Sequence, residues 1–303
     1  MIAFKRGPLR RLKVKALNAL ADYRGLRALR EEDIFERKGY IFPNNINVVN
    51  YPGKRPLASF NPGVALVGNE LYIFPRFIFD YYGYTSSIGY FKVDVRDVIL
   101  GEFKESINAK LVLWPQYSWE FKGCEDARVF KHGDKLLLLY TGNGYVYQRD
   151  NYKTLIVQGL ALIDDRFNVK SKRYFKISEK GVEVIPESMK DSAFISIKGK
   201  DARMLTRPNL DGVEVCWWGE ADINGGIIRA DSMEPVLVNE GWEYKVGWST
   251  NVVKVSSNEF LVGWHAVLKR DLSYRNGIAL ISEEGELLAI SNYLLSPKGP
   301  VEE

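Results

Sequence analysis

The chain has 303 residues, 46% hydrophobic and 13% aromatic, enough for two average domains or one large β-rich one. Its net charge of +4 is mild and suits an anionic ligand without demanding a nucleic acid. Two cysteines, Cys124 and Cys216, make no disulfide framework, and no apolar run reaches the roughly 18 residues of a membrane span.

The N-terminus is basic. Lys5, Arg6, Arg10, Arg11, Lys13, Lys15, Arg24, Arg27 and Arg30 face one acid, Asp22. It has no continuous apolar stretch, so no signal peptide is read and the cytoplasm is the expected compartment. Leu9, Leu12, Ala16, Leu20 and Tyr23 recur at helical spacing. Residues 1–35 are therefore read as a helical extension with a solvated basic face. It packs on the main domain or, in a homo-oligomer, on a partner subunit. Aromatic residues do not alternate with the basic ones as a nucleic-acid stacking platform requires. Residues 36–303 are read as the main domain.

Four segments then repeat: "NPGVALVGNELYIFPR" (61–76), "DARVFKHGDKLLLLYT" (126–141), "SAFISIKGKDARMLTR" (192–207) and "NVVKVSSNEFLVGWH" (251–265). Each is an apolar strand, a tight turn and a second apolar strand. The turns carry Gly68-Asn69, Gly133-Asp134, Gly199-Lys200 and Ser257-Asn258. A third strand follows three of them, at 88–94, 159–165 and 277–283. Small antiparallel sheets recurring roughly every 60 to 66 residues predict an all-β β-propeller over a β-sandwich.

In a propeller, equivalent positions of the innermost strands face a central channel. Counting back from each turn aligns Asn61, Asp126, Ser192 and Asn251, with Glu125, Lys190-Asp191 and Thr250 just upstream. The far ends of the second strands align Arg76, Thr141, Arg207 and His265. Polar residues at four matching places predict a site. Asp126 is expected in the channel, and Glu125 is expected to turn away toward neighbouring strands or backbone. His265 is one of two histidines; the other, His132, lies in a turn and is read as solvated.

Seven tryptophans offer faces for stacking on sugar rings, and core packing is the plainer reading of each. Inverting hydrolysis of a glycoside needs two carboxyl groups, one to protonate the leaving oxygen and one to activate water. The alignment supplies one clear carboxylate, Asp126, with Asp191 as a weaker second. With it come cations: Arg76, Lys190, Arg207 and His265. Cations do not activate water, but they hold inorganic phosphate, which is already a nucleophile. The chemistry predicted is phosphorolysis with one general acid. Glu125 beside that acid would favour its protonated form by repulsion, and Arg128 would oppose this if it pointed inward.

These residues resemble glycoside hydrolase family 130, the β-mannoside phosphorylases and their hydrolytic relatives. "GCEDARVF" is similar to that family's Gly-x-Glu-Asp-Pro-Arg segment, whose Asp is the general acid. "FNPGV" (60–64), "PRFIFDYYGYTSSIGY" (75–90), "MKDSAFI" (189–195), "MLTRP" (204–208), "GWEYKVG" (241–247) and "VGWHAV" (262–267) with its trailing Tyr274 follow in the family's order. The resemblance covers about residues 55–298. It implies a five-bladed β-propeller, of which four hairpins are legible here, with Asp126 as the acid. Arg76, Lys190, Arg207, His265 and Tyr274 would bind phosphate or the sugar beside it. Asn61, Glu125, Arg128, Asp191 and Asn251 are expected to line the substrate.

Three departures bear on the sugar and its linkage: Ala127 stands for proline, Thr206 for histidine, and "GWSTNVV" (247–253) for a glycine- and proline-rich segment. The basic cluster, which hydrolytic members lack in part, is kept whole. The expected activity is inverting phosphorolysis of a β-mannoside to α-mannose 1-phosphate, with no metal and no cofactor besides phosphate as co-substrate. Two other readings stay open. One is a hydrolase of the same substrates, drawing a second carboxylate from Asp191, Glu220 or Glu243. The other is a non-catalytic sugar-binding propeller.

Overall fold

The computed structural model describes residues 7–80, 82–148, 151–299 and 302. The chain is mostly β, 56% strand and 9% helix. No described helix is long and apolar enough to cross a membrane. The chain divides into two compact units: Glu36–Tyr174, and Phe175–Glu303 joined by the N-terminal segment up to Phe35.

The Glu36–Tyr174 unit holds β1 (Ile46–Val48), β2 (Ala58–Val67), β3 (Glu70–Ile78), β4 (Ser86–Asp94), β5 (Ile107–Leu113), β6 (Gly123–His132), β7 (Lys135–Gln148), β8 (Asn151–Ile163) and β9 (Val169–Tyr174). Strands β2 to β5 form one antiparallel meander, and β6 to β9 form a second. Ser86 of β4 pairs in parallel with Gly123 of β6. Gly123 has φ of 153°, and any Cβ there would press on the Ser86 backbone, so only glycine lets the meanders join at this point. Ile46, Val48, Phe77, Phe91, Ile107 and Ala109 close the core beneath the first meander.

The other unit continues with β10 (Lys176–Glu179), β11 (Val182–Val184), β12 (Met189–Lys198), β13 (Asp201–Leu210), β14 (Val213–Glu214), β15 (Cys216–Asp222), β16 (Ile227–Arg229) and β17 (Glu234–Leu237). It ends with β18 (Glu243–Lys254), β19 (Phe260–Leu268), β20 (Tyr274–Ile281) and β21 (Leu287–Ile290). One sheet runs β11-β10-β16-β15-β13-β12, and the last four strands form a meander around Trp248, Trp264, Val262 and Tyr293.

The hairpins at Gly68, Gly133 and Gly199 are two-residue connections: Val67 faces Glu70, His132 faces Lys135 and Lys198 faces Asp201. Each glycine takes a left-handed φ near 60°, which is why the turn needs it. The fourth hairpin has no such glycine and takes a longer loop, with Lys254 facing Phe260.

The N-terminal helix Gly7–Asp22 lies against its own unit, with Leu12 and Ala16 fully buried. Several of its cations are engaged: Arg11 with Glu179 (2.8 Å), Lys13 with the carbonyl of Asp211 (2.9 Å) and Lys15 with that of Met233 (2.9 Å). Lys5 and Arg6 lie outside the described residues. Arg27 differs most from a solvated basic face. Its guanidinium and the Glu243 carboxylate are both 0% exposed and 2.5 Å apart, and Tyr293 donates to the same carboxylate at 2.6 Å.

Candidate active site

The first strand of each repeated hairpin carries a β-bulge at the same place. Residues 61 and 62 oppose one partner residue between the pairs Phe60–Arg76 and Gly63–Phe74. Residues 126 and 127 do so between Glu125–Thr141 and Arg128–Leu139, and 191 and 192 between Lys190–Arg207 and Ala193–Leu205. In β18 three residues, Ser249 to Asn251, stand between Trp248–Trp264 and Val252–Val262. Asn61, Asp126 and Asp191 have left-handed φ of 45°, 51° and 53°. Asn and Asp tolerate that region better than other side-chain-bearing residues. Thus Asp191, not Ser192, is the structural equivalent of Asp126. A second bulge between Phe194 and Ser196 adds one residue to β12, which displaces a count made back from the turn.

In the Glu36–Tyr174 unit, a Cβ on Gly63 would overlap the carbonyl oxygen of Ala127, so β2 lies directly against β6. This contact brings Asn61 Nδ2 to donate to Asp126 Oδ1 at 3.0 Å. Arg76 serves both acids, with Nη1 3.5 Å from Asp126 Oδ1 and Nη2 3.2 Å from Glu125 Oε1. Its Nε donates to Ser86 Oγ at 2.7 Å, and its guanidinium lies over the Phe60 ring. Glu125 therefore does not turn away: the left-handed residue at 126 breaks strand alternation, and both carboxylates reach one guanidinium. Arg128 Nη1 donates to the carbonyls of Asp126 (3.0 Å) and Ala127 (3.1 Å), bracing the bulge.

In the other unit, Arg207 Nε donates to Asp191 Oδ2 at 2.8 Å, and its Nη1 pairs with Glu214. Arg207 is buried, which alone would lower its pKa, but Asp191 and Glu214 outweigh that and raise it. His265 places Nε2 3.8 Å from Asp191 Oδ2, while Nδ1 lies 2.9 Å from Ser249 Oγ. Lys190 pairs across the ladder with Arg207, and among the described residues its ammonium makes no ion pair. Tyr274 packs its ring 5.3 Å from the His265 ring and accepts from Lys245 Nζ at 2.8 Å. Asn251 closes the β18 bulge, its carbonyl accepting from Thr250 Oγ1 at 2.8 Å.

A family profile described as β-1,4-mannooligosaccharide phosphorylase matches residues 26–303. The chain belongs to glycoside hydrolase family 130. Members of this family are glycoside-processing enzymes, phosphorylases and hydrolases, on a β-propeller-like fold. Among solved structures, the chain is similar to β-1,2-mannobiose phosphorylase from Listeria innocua: TM-score 0.62, 16% identity, covering 85% of this chain and 82% of that one. It is also similar to a family member from work on glycoside hydrolases that target β-1,2-mannosidic linkages in Candida mannan: TM-score 0.53, 12% identity, 89% and 85% covered. At these identities the likeness shows a shared fold. No curated protein sequence matches significantly.

Set out this way, the predicted residues of this family 130 chain fall into two groups, one in each unit. Around Asp126 stand Asn61, Arg76, Glu125 and Arg128; around Arg207 stand Lys190, Asp191, His265 and Tyr274. Two of the carboxylates considered for hydrolysis are engaged elsewhere. Glu243 is buried against Arg27, and Glu220 pairs with Arg229 at 2.5 Å and faces Arg203 in the ladder. Asp191 alone of the three belongs to a predicted group. Sequence reasoning missed Ser86 and Glu214, the partners of Arg76 and Arg207, because neither falls at a repeat-equivalent position. The tryptophans are mostly framework: Trp217, Trp248 and Trp264 are fully buried, and only Trp114 is exposed.

Proposed function

We propose that this chain is a five-bladed propeller enzyme that carries out inverting phosphorolysis of β-mannosides, giving α-mannose 1-phosphate and a shortened acceptor. A phosphate oxygen attacks the anomeric carbon, the glycosidic C–O bond breaks, and Asp126 supplies the proton that the departing oxygen takes. Arg76, Lys190, Arg207, His265 and Tyr274 hold phosphate and the adjacent sugar. Asn61, Glu125, Arg128, Asp191 and Asn251 position the mannoside. Inorganic phosphate is the co-substrate, and no metal takes part.

The observation that carries this reading is the left-handed bulge at Asp126, with its carboxylate held between Asn61 and Arg76. Strain of this kind costs roughly 1–3 kcal/mol and persists where a side chain must be aimed. Family membership supports the substrate class, and Lys190, a cation without an ion pair among the described residues, supports anion binding. The deciding assay offers mannose 1-phosphate with a panel of mannoside acceptors. Release of free phosphate with formation of a new β-mannoside is expected, and no release with any acceptor overturns the reading.

One observation favours hydrolysis as the second reading: Asp191 offers another carboxylate in an equivalent bulge. Mannose release at an undiminished rate in phosphate-free buffer would establish it.

A further inference from the structure

Trp114, the exposed tryptophan (41%), lies between two hollows of the Glu36–Tyr174 unit, of about 550 Å³ and about 410 Å³. Trp114, Asn50 and Leu111 line both, so the hollows run into one groove. None of the residues assigned to the candidate active site lines it. Its floor is fixed: Asn50 Oδ1 accepts from the Leu111 amide (2.7 Å), and its Nδ2 donates to the Leu111 carbonyl (3.0 Å). Lys172 Nζ donates to the Trp114 carbonyl at 2.8 Å and anchors the indole's backbone. Aromatic rings also stand in each hollow beyond Trp114. Tyr117 is stacked on Trp119 with rings 6° from parallel, and Tyr51 packs on Phe79 with centroids 4.5 Å apart. Held rings spaced along a polar groove match the alternating C–H faces and hydroxyls of pyranoses.

The charge of the larger hollow narrows the ligand. Lys110, Arg166, Lys170 and Lys172 line it. Lys172 is neutralised by buried Glu120 (3.1 Å) and Lys170 by Asp164 (2.8 Å). Lys110 and Arg166 are exposed and form no side-chain ion pair among the described residues. Two uncompensated cations beside an open indole select an oxyanion carried on a sugar. We propose that this groove is a second saccharide site, for a pyranoside bearing a negative charge. Its ring lies on Trp114 and its oxyanion between Lys110 and Arg166.

The test uses the full chain with 5-fluorotryptophan at its seven tryptophans, the Trp114 resonance being assigned from Trp114→Phe. The probes are mannose 6-phosphate, glucuronic acid, methyl mannoside and inorganic phosphate. Saturable movement of the Trp114 signal by either anionic sugar is expected, and which of the two acts identifies the oxyanion as phosphate or carboxylate. Lys110→Ala with Arg166→Ala should weaken that binding at least about tenfold. The proposal is overturned if neither anionic sugar moves the signal, or if methyl mannoside or bare phosphate binds equally well. An unchanged affinity in the double variant also overturns it.

Discussion

Asp126 and Asp191 occupy the same bulge position in two different sheets, with φ of 51° and 53°, and each carboxylate faces an arginine, Arg76 or Arg207. A strained acid paired with a cation is thus a repeated feature of this chain. In the proposed chemistry the two copies differ in task, one donating a proton and the other positioning the mannoside.

Asp126→Asn separates these tasks. Asparagine tolerates the left-handed region and can keep the Arg76 contact as an acceptor, so thermal unfolding should be unchanged. Turnover should fall about 10²- to 10⁴-fold, the size expected for a lost proton donor. Full turnover in the variant would remove Asp126 from the acid's role.

Phosphate use is best read from Lys190, not Arg207. Arg207→Ala strands the Asp191 carboxylate without its buried partner and should destabilise the fold by about 3–5 kcal/mol. Lys190→Ala breaks no ion pair among the described residues. It should raise the KM for phosphate with the melting temperature unmoved. An unchanged phosphate dependence would take Lys190 out of the phosphate site.

Ser249 Oγ lies 2.9 Å from His265 Nδ1, and the Asp191 carboxylate, 3.8 Å from Nε2, favours the tautomer that carries its proton on Nε2. With His132→Asn, His265 is the sole histidine, and ¹⁵N spectra report its tautomer directly. A single Nε2–H form is expected. Ser249→Ala should give a mixture, and Ser249→Thr should restore the single form.

Gly63 is required for contact and not for conformation, since its φ is not in the left-handed range. Gly63→Ala forces β2 from β6 at the Ala127 carbonyl, at a cost of about 1–3 kcal/mol. A drop in melting temperature together with a loss of turnover is expected. An unshifted melting curve would show that the strands are not in contact here.

Glu240 ties down the segment after the N-terminal helix. It accepts from the Leu26 and Arg27 amides at 2.9 and 2.8 Å and from Tyr23. Burial opposes its ionisation, but these donors and Arg27 prevail and hold its pKa below the ordinary 4.5. A depressed acid stabilises the fold fully above its unfolded value and loses that contribution as pH falls through the folded one. Protection of the two amides, taken relative to their intrinsic exchange rates, should therefore be full above pH 4.5 and fall in more acidic solution. In Glu240→Gln that acid dependence should vanish.

Much of the fold was legible in the chain because its signals are local. Three glycines between alternating apolar runs specify three two-residue hairpins, and short motifs in a fixed order along the chain carry the family resemblance. Tertiary structure decided what depends on register and on distant partners. The bulge between Phe194 and Ser196 makes Asp191 the equivalent of Asp126, and a register shift exists only once β12 pairs with β13. Arg27 sits in a run of basic residues, yet it is buried because its counter-charge, Glu243, lies 216 positions away. Glu125 shares Arg76 with Asp126 because one left-handed residue overturns the alternation that a strand pattern assumes. Local pattern sets the strands and turns, but the partner of a buried charge is chosen only when the chain closes on itself, since desolvation penalises every unpaired alternative.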